Sequence, residues 1–363
     1  MNEIGNSLAQ PRGTAIDEYV SIAADAGEAL VRRASVASIA ELDGIIFDVD
    51  GVLIDVGESI QLVHGEAARR YFGTVGWSGC ENLVGPSDVD SFKLAGGFNS
   101  DWELAFAWML LYLFKSERCA SVDGEVLRAA QPTVGEFTAE VARRGGSLAS
   151  AVAAVGELCR GEEWAAVEAR WDRPALQRLF QEVYSGDLCR EIYGFEPGIV
   201  TGPGLIRRDR AILDRGCLPA GIKFGIATGR TAGETAVGLR LMGWADLFPP
   251  HVIVSEDDGF RKPDPEILIQ AVERLGGKRV MYVGDTPDDL LTVRRYNDVL
   301  GDQRGAEPSR MLACMVLTGL KDQQAKERFI ECQADVVADN VNAALAAVGQ
   351  CMGGALCPDE KRR

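Results

Sequence analysis

The chain has 363 residues, enough for two domains or for one core that carries a large insertion. Its composition, 47% hydrophobic and 25% charged, is that of an ordinary globular protein. A net charge of −16 is a poor match for nucleic acid or for anionic membranes, although a metal ion and a few basic groups would still allow a small phosphorylated ligand. No apolar run reaches the roughly 20 residues of a bilayer span, and residues 1–13 lack a secretory signal pattern. We therefore expect a cytoplasmic protein that binds neither nucleic acid nor membranes.

Cysteine and histidine usage narrows the chemistry further. Nine scattered cysteines without C-x-x-C spacing fit reduced thiols in a cytosolic protein. The chain has only two histidines, His64 and His251, so a zinc site or a histidine-dependent triad would have to use nearly all of them. Both kinds of site are therefore disfavoured.

The N-terminal stretch before the first strong strand signal is polar and amphipathic. Residues 15–42 have the pattern of one or two helices, so we predict an N-terminal helical extension over residues 1–42. This extension either packs on the core or mediates self-association into a homo-oligomer, and the sequence does not choose between the two.

Five short apolar runs predict strands that are buried on both faces, as in a parallel sheet. Helical patterns separate the last four runs, which favours an α/β fold, a doubly wound Rossmann-like parallel sheet. Ligands bind such sheets at the carboxyl ends of the strands. The runs are residues 44–48, 222–228, 251–256, 280–285 and 311–318.

More than 150 residues separate the first predicted strand from the second, far more than a simple crossover needs. We therefore predict an inserted, mainly helical domain over residues 58–199, a core domain over 43–57 and 200–348, and a flexible tail over 349–363. Leu104, Trp108 and Leu111 share one helical face of the insertion, which indicates core packing. The helices predicted in the insertion cover residues 57–71, 101–114, 133–144, 147–159 and 173–184.

The strongest chemical signal is Asp48-Val49-Asp50-Gly51-Val52, at the end of the first strand. A carboxylate at a strand tip, here Asp48, can attack phosphorus and form an aspartyl-phosphate. The second carboxylate, Asp50, can protonate the leaving oxygen and later deprotonate water. The structural alternative is a turn that is merely rich in Asp and Gly, so this motif needs support from elsewhere in the chain.

That support comes from Gly284-Asp285-Thr286-Pro287-Asp288-Asp289, after the fourth strand. Asp285 is expected at the same sheet edge as Asp48, where the two carboxylates could hold one hard cation such as Mg²⁺. Asp289 falls on the first turn of the next helix. It either binds a metal-bound water or stabilises the helix start.

Two further segments supply groups that suit a phosphate. Thr228-Gly229-Arg230 ends the second strand, and a hydroxyl beside backbone N–H groups at a helix start forms an anion site. Lys262 lies in Arg261-Lys262-Pro263-Asp264-Pro265, where the following proline restricts its backbone. A cation placed there would offset charge on the transition state and on Asp48, whereas a lone Lys-Pro would simply be a surface lysine.

These four motifs, in this order, resemble those of the haloacid dehalogenase superfamily of hydrolases, with the insertion where subgroup I members carry their cap domain. The resemblance covers residues 43 to about 348 and implies a Mg²⁺-dependent phosphatase acting on a small phosphorylated metabolite. It further implies that Asp48 is the nucleophile and Asp50 the general acid/base. The remaining implied roles are phosphoryl binding by Thr228 and Lys262, substrate contacts from Gly229 and Arg230, and Mg²⁺ ligation by Asp48, the Asp50 carbonyl and Asp285, with Asp289 in support.

One stretch of the cap is similar to the K-x-x-G-G-F-N-x-D-W pattern of a subgroup IA branch, some of whose members are fused to histidine-biosynthesis enzymes. It runs from Lys93 to Trp102. We hypothesise that Lys93, Asn99 and Asp101 contact the substrate's leaving group; the alternative is a structural loop. Residues 122–193 contain no motif that we recognise.

Three alternatives to a phosphatase remain open at this stage. A phosphomutase would use the same scaffold, and a phosphonate hydrolase would need a Schiff-base lysine in the cap, for which Lys93 is the candidate. A non-catalytic binding protein with this fold would have no use for so many clustered carboxylates. The identity of the substrate is not encoded in any recognisable pattern.

Overall fold

A computed structural model describes residues 15–98, 100–301, 310–318 and 323–354. The chain divides into two compact units, and each is considered by itself. The first unit contains the described residues up to Asp55 and from Arg210 onward, and the second contains Val56–Asp209. The boundaries predicted from the sequence, 57/58 and 199/200, differ from these by two and ten residues.

Ten strands and fifteen α-helices are found in the described part of the chain. The strands are β1 (Tyr19–Ala24), β2 (Gly27–Arg32), β3 (Gly44–Phe47), β4 (Ile54–Asp55), β5 (Arg210–Ala211), β6 (Lys223–Ala227), β7 (Ile253–Val254), β8 (Val280–Gly284), β9 (Leu312–Val316) and β10 (Val336–Ala338). The helices are α1 (Val36–Ala40), α2 (Ile60–Thr74), α3 (Pro86–Ala95), α4 (Asp101–Cys119), α5 (Gly124–Ala129), α6 (Val134–Arg143), α7 (Leu148–Leu158), α8 (Glu163–Arg170), α9 (Arg173–Ser185), α10 (Cys189–Tyr193), α11 (Ala232–Met242), α12 (Glu266–Leu275), α13 (Pro287–Gly301), α14 (Gln323–Glu331) and α15 (Val341–Met352).

The first unit is built on an eight-stranded sheet with the order β1-β2-β10-β9-β8-β3-β6-β7. The strands from β10 to β7 pair in parallel, and β1 and β2 add an antiparallel hairpin. Strands β3, β8, β9 and β10 are buried along their whole length, which explains why they are apolar at every position. The predicted fold class, a mostly parallel Rossmann-like sheet with flanking helices, is confirmed.

Helix α12 illustrates how the flanking helices attach to the sheet. Its buried residues are Ile267, Leu268, Ala271, Val272 and Leu275, a spacing that places them on one face. That face packs against β6 and β7, while α15 packs against β1, β2 and β10. The apolar stripe on each helix thus covers the sheet and leaves the strand ends accessible to side chains from the connecting loops.

The predicted helical extension at the N-terminus is wrong for most of its described length. Residues 19–32 form the β1–β2 hairpin, with Tyr19 opposite Arg32 and Ala24 opposite Gly27. The hairpin pairs with β10, and the Tyr19 hydroxyl donates to the Ala334 carbonyl at 2.7 Å. The periodicity of apolar runs this short fits a strand and a helical turn equally well. Pairing with the sheet therefore determines that these residues form strands. Only α1, five residues long, is α-helical here.

The predicted third strand and the predicted C-terminal tail also differ from the structure. The apolar run at residues 251–256 contains only the two-residue strand β7, flanked by 3₁₀ turns at Pro250–Val252 and Glu256–Asp258. Pro250 is the first residue of the leading turn, a position that its fixed φ suits. Helix α15 continues to Met352, so residues 349–352 are helical, and residues 355–363 of the predicted tail lie outside the described part.

The second unit is helical, as predicted for the insertion. Helices α2, α4, α6, α7 and α9 match predicted segments, and α3, α5, α8 and α10 are additional. Leu104, Trp108 and Leu111 of α4 are fully buried, so their shared face is core. The stretch 122–193, which carried no motif, consists of helices α5 to α10 and their connections.

The chain leaves and re-enters the first unit through a small two-stranded sheet. Strand β4 pairs antiparallel with β5, and Asp55 lies opposite Arg210. The Ile212 N–H extends this pairing by donating to the Leu53 carbonyl at 2.8 Å. The first and last residues of the insertion are therefore joined to neighbouring positions.

Two negative findings apply to the described residues. None of the described helices combines the length and apolarity that crossing a bilayer would require. The cysteines of the described part are free thiols, in agreement with their scattered spacing.

Candidate active site

The carboxyl ends of the central parallel strands bring the predicted residues to one edge of the sheet. In the strand register, Phe47 lies beside Ile226 on β6 and Val283 on β8. Asp48 directly follows Phe47, and Thr228 and Asp285 directly follow the neighbouring strands. All three side chains are buried. The convergence predicted from the strand-end motifs is thus present in the first unit.

Lys262 lies between two of the carboxylates. Its Nζ is 2.7 Å from Asp48 Oδ2 and 2.7 Å from Asp289 Oδ1. Burial by itself would lower the pKa of Lys262, but the carboxylates of Asp289 and Asp48 raise it above its ordinary value, so the ammonium stays charged. The Lys262 side chain is only 5% exposed, so it is not a surface lysine.

Asp48 has an unusual environment for a carboxylate. Burial raises its pKa to about 6; Lys262 opposes this rise and the charge of Asp289 adds to it. Its Oδ1 accepts a hydrogen bond from the Val49 N–H at 2.8 Å. Asp48 is therefore ionised at neutral pH and held in a fixed orientation, as a nucleophile requires.

Asp289 acts chiefly as an anchor for its neighbours. Its Oδ1 accepts hydrogen bonds from Lys262 Nζ and from the Tyr282 hydroxyl, at 2.7 and 2.9 Å. Its Oδ2 accepts from the Asp285 N–H and from both the N–H and the hydroxyl of Thr286. The sequence allows Asp289 either to bind a metal-bound water or to stabilise a helix start. Its hydrogen bonds to Asp285 and Thr286 stabilise the start of α13.

The carboxylate cluster fits a divalent cation. Oxygens of Asp48, Asp285 and Asp289 lie within 4.8 Å of one another, and all three residues are buried. Together with Asp50 these acids outnumber the two cationic side chains among them, Lys262 and Arg230, by two formal charges. Oxygen ligands with this charge deficit suit Mg²⁺. Five donors from Lys262, Tyr282, Asp285 and Thr286 already contact the oxygens of Asp289.

Asp50 is held by an arginine that the sequence assigns to substrate binding. Arg230 Nε and Nη2 lie 2.8 and 2.5 Å from Asp50 Oδ1. The Arg230 side chain is 4% exposed and the Asp50 side chain 29%. The guanidinium thus lies beneath the carboxylate and contacts it directly.

The Thr228-Gly229 segment approaches the same edge from β6. The Thr228 hydroxyl oxygen accepts a hydrogen bond from the Arg230 N–H at 3.2 Å, and its own proton can be donated to a ligand. Gly229 lies in the exposed bend that follows. At the start of α11, however, the N–H groups of Thr231 and Ala232 are bonded to Glu234 and Asp257. These two N–H groups are therefore already used, which leaves the Thr228 hydroxyl and the Gly229 N–H as the donors for the predicted anion site.

Gly51 is required by the close approach of Asp285. A Cβ at Gly51 would lie 2.1 Å from Asp285 Oδ2, and the backbone φ of +72° is one that L-residues rarely adopt. We expect Gly51→Ala to displace Asp285 and to weaken Mg²⁺ binding at least tenfold, measured by isothermal titration calorimetry. Gly221→Ala is the matched control, because its φ is +79° but no atom lies within 4 Å of the added carbon. Equal Mg²⁺ affinity in both variants would contradict the expected contact.

The two described cap residues singled out by the sequence lie together in the second unit. Lys93 Nζ is 3.7 Å from Asp101 Oδ1, and the same oxygen is 3.2 Å from His64 Nε2. The Trp108 indole donates to His64 Nδ1, which leaves Nε2 as the protonated nitrogen. Asn99 lies outside the described residues.

Three residues of these networks are absent from the sequence-based predictions. Tyr282 is indistinguishable from the other apolar residues of its strand. Thr286 could have been found, because Thr286-x-x-Asp289 has the spacing of a capping box. His64 is an isolated histidine in a helix, and only the fold shows that it contacts Asp101 and Trp108.

Comparison with known proteins gives a family match. The family model for haloacid dehalogenase-like hydrolases matches residues 42–296. The chain is also 25% identical over 260 residues to an imidazoleglycerol-phosphate dehydratase from Phytophthora nicotianae. That alignment covers 71% of this chain but only 42% of the relative, so the chain spans less than half of that protein. The match accords with the predicted resemblance to a branch that occurs fused to histidine-biosynthesis enzymes.

Two solved structures resemble this chain. A structural-genomics crystal structure superposes with a TM-score of 0.57 at 17% identity, covering 86% of this chain and 99% of that one. A phosphatase from Thermococcus thioreducens has a TM-score of 0.49 at 26% identity, covering 79% and 98%. The first of these likenesses establishes the architecture alone.

Proposed function

Because the chain belongs to the haloacid dehalogenase-like hydrolase family, we propose that it is a Mg²⁺-dependent phosphatase that hydrolyses a small phosphomonoester. The observation that carries the proposal is the position of Lys262, whose ammonium is 2.7 Å from both Asp48 and Asp289. A buried cation beside a strand-end carboxylate compensates charge where a phosphoryl group would transfer.

The reaction proceeds in two displacements at phosphorus. In the first, a carboxylate oxygen of Asp48 forms a bond to phosphorus, the ester P–O bond breaks, and Asp50 gives its proton to the leaving oxygen. In the second, Asp50 removes a proton from water, the water oxygen attacks phosphorus, and inorganic phosphate departs. Asp48 is regenerated as a carboxylate and Asp50 in its protonated form.

The remaining residues bind and orient the phosphoryl group. Lys262 donates to a phosphoryl oxygen while it stays paired with Asp289, and the Thr228 hydroxyl and Gly229 N–H donate to the others. Mg²⁺ would be held by Asp48, Asp285 and the Asp50 carbonyl, and when bound it supplies positive charge that reduces repulsion between Asp48 and the phosphate. Asp289 keeps Lys262 and the Asp285 loop in place.

In the second unit, we assign the leaving part of the substrate to Lys93 and Asp101. Their ion pair presents one cation and one anion, which suits a leaving group with hydroxyl or amino substituents. A phosphonate hydrolase would instead need Lys93 to form a Schiff base with its substrate.

The direct test is a phosphate-release screen over sugar phosphates, nucleotides and amino-alcohol phosphates, with Mg²⁺ and with a chelator. At least one class is expected to be hydrolysed with Mg²⁺, and activity should disappear with the chelator and return when Mg²⁺ is restored. Borohydride treatment with substrate should label no lysine. Absence of phosphate release from every class would contradict a phosphatase, and transfer of phosphate within the substrate would indicate a mutase instead.

Mg²⁺ stabilisation is expected to depend on pH. Because burial raises the pKa of Asp48 to about 6, the metal-free folded protein retains this proton between about pH 4 and 6, where the unfolded chain has lost it. The Asp48 contribution to stability therefore falls as pH rises through this window, and Mg²⁺ must displace the proton below pH 6. We expect the Mg²⁺-induced rise in Tm to be larger at pH 7.5 than at pH 5. Equal rises at both pH values would argue against Asp48 as a ligand.

A further inference from the structure

Several segments of the first unit hold Arg230 in contact with Asp50. The Arg230 N–H donates to the Thr228 hydroxyl oxygen at 3.2 Å, and its carbonyl accepts from the Glu256 N–H at 2.9 Å. The backbone of Arg230 is thus fixed on both sides. Its side chain then runs inward and is 4% exposed.

A glycine in helix α11 makes room for the guanidinium. A Cβ on Gly238 would lie 2.7 Å from Arg230 Nη1 and 3.5 Å from a methyl carbon of Ile54. Glycine inside a helix is unfavourable relative to alanine, so its presence here matches a steric need. The helix therefore packs against Arg230 at a distance that only glycine permits.

The arginine contacts one oxygen of Asp50 and leaves the other for chemistry. Nε and Nη2 both reach Oδ1, whereas Oδ2 accepts no hydrogen bond from the described residues. A buried planar guanidinium with two bonds to one atom restricts rotation of the carboxylate. Asp50 itself is partly exposed, at 29%.

We propose that Arg230 is a positioning residue for Asp50, holding Oδ1 so that Oδ2 exchanges the proton with the leaving oxygen. This inference rests on the proposed phosphatase function, and it gives Arg230 a role other than direct substrate binding. Protonation matters most for an alkoxide leaving group and least for p-nitrophenolate, which departs without a proton. The two roles of Arg230 therefore predict different dependence on the leaving group.

The test compares kcat/KM for an alkyl phosphate and for p-nitrophenyl phosphate, since this ratio reports phosphoryl transfer to Asp48. Asp50→Asn and Arg230→Gln are both expected to lower kcat/KM for the alkyl ester roughly ten- to a hundredfold more than for the aryl ester. Arg230→Lys, which keeps the charge, should recover part of the selective loss. Equal losses on both esters in Arg230→Gln, with a raised KM, would overturn the proposal and indicate direct phosphate binding.

A second variant perturbs Arg230 without altering any reacting group. Gly238→Ala is expected to show the same selective loss on the alkyl ester, since the added carbon displaces the guanidinium. Gly135→Ala is the matched control, because that helical glycine has no atom within 4 Å of an added carbon. An unchanged ester preference in Gly238→Ala contradicts the inference. If wild-type protein releases no phosphate from either ester, the proposed function fails and this inference fails with it; activity that depends on Asp48 but not selectively on Arg230 overturns the inference alone.

Discussion

Replacing Asp48 by Asn is expected to lower kcat for phosphate release by roughly 10⁴-fold or more, the order of loss seen when an enzyme nucleophile is removed. The amide has the same shape but cannot form the acyl-phosphate. Phosphate release with Mg²⁺ is the measurement, and Asp55→Asn, which alters an exposed acid on β4, is the control. Residual activity above a hundredth of wild type in Asp48→Asn would remove Asp48 from the mechanism.

The same substitution should leave the fold intact. Burial of Asp48 disfavours its charge, as the raised pKa shows, so a neutral amide relieves this cost in the metal-free protein. Lys262 keeps its second partner, Asp289. We expect an equal or higher Tm without Mg²⁺ and little response to added Mg²⁺. A lower Tm would show instead that the Asp48–Lys262 pair is needed for folding.

Replacing Asp289 by Ala is expected to destabilise the protein by about 3–5 kcal/mol, because it leaves buried donors without their acceptor. Burial would raise the pKa of Asp289, but Lys262 and Thr286 hold it below its usual range, so the carboxylate is ionised at neutral pH. Its removal affects Lys262, Tyr282 and Thr286 together. Activity should fall as well, since Lys262 loses the anchor that positions it beside Asp48.

Urea denaturation of Asp289→Ala measures the first effect, and the midpoint should shift without a large change in slope. Asp298→Ala is the matched control, because Asp298 is exposed on the same helix, α13. Asp289→Asn should be intermediate, as it retains an acceptor oxygen. A free energy of unfolding within about 1 kcal/mol of wild type for Asp289→Ala would mean that the buried donors find other partners.

The sequence predicts those parts of the fold in which composition and flanking residues fit only one kind of secondary structure. Gly44–Phe47 and Val280–Gly284 are apolar throughout and are followed by acids, and only a buried parallel strand ending at a polar edge suits both features. The site follows from the same pattern, since Asp48, Lys262 and Asp285 come from motifs in a recognisable order.

The hairpin of β1 and β2 illustrates what the sequence leaves undetermined. Its apolar residues fit burial at every second position, as in a strand, or at every third or fourth position, as in a helix. Ala and Glu favour the helix locally. The outcome depends on β10, more than 300 residues away along the chain, which offers an unpaired edge to Val31 and Ala29. Pairing over such a distance cannot be read from a local window.

The Arg230–Asp50 contact is beyond local reasoning for a related reason. Thr228-Gly229-Arg230 resembles a ligand-binding loop, and the sequence accordingly assigns Arg230 to the substrate. The direction of the side chain depends on how closely α11 packs, which Gly238 determines. Tyr282 likewise reaches Asp289 only because the strand and the following helix meet at the sheet edge.

The pairing of β4 with β5 has a consequence for how this protein could change over evolution. Since Asp55 and Arg210 are opposite each other, the helical insertion begins and ends at adjacent positions of the first unit. Helices can be gained, lost or lengthened between those points without altering the spacing of the strands that carry Asp48 and Thr228. The helical unit and the strand-end site can therefore change independently within a single polypeptide.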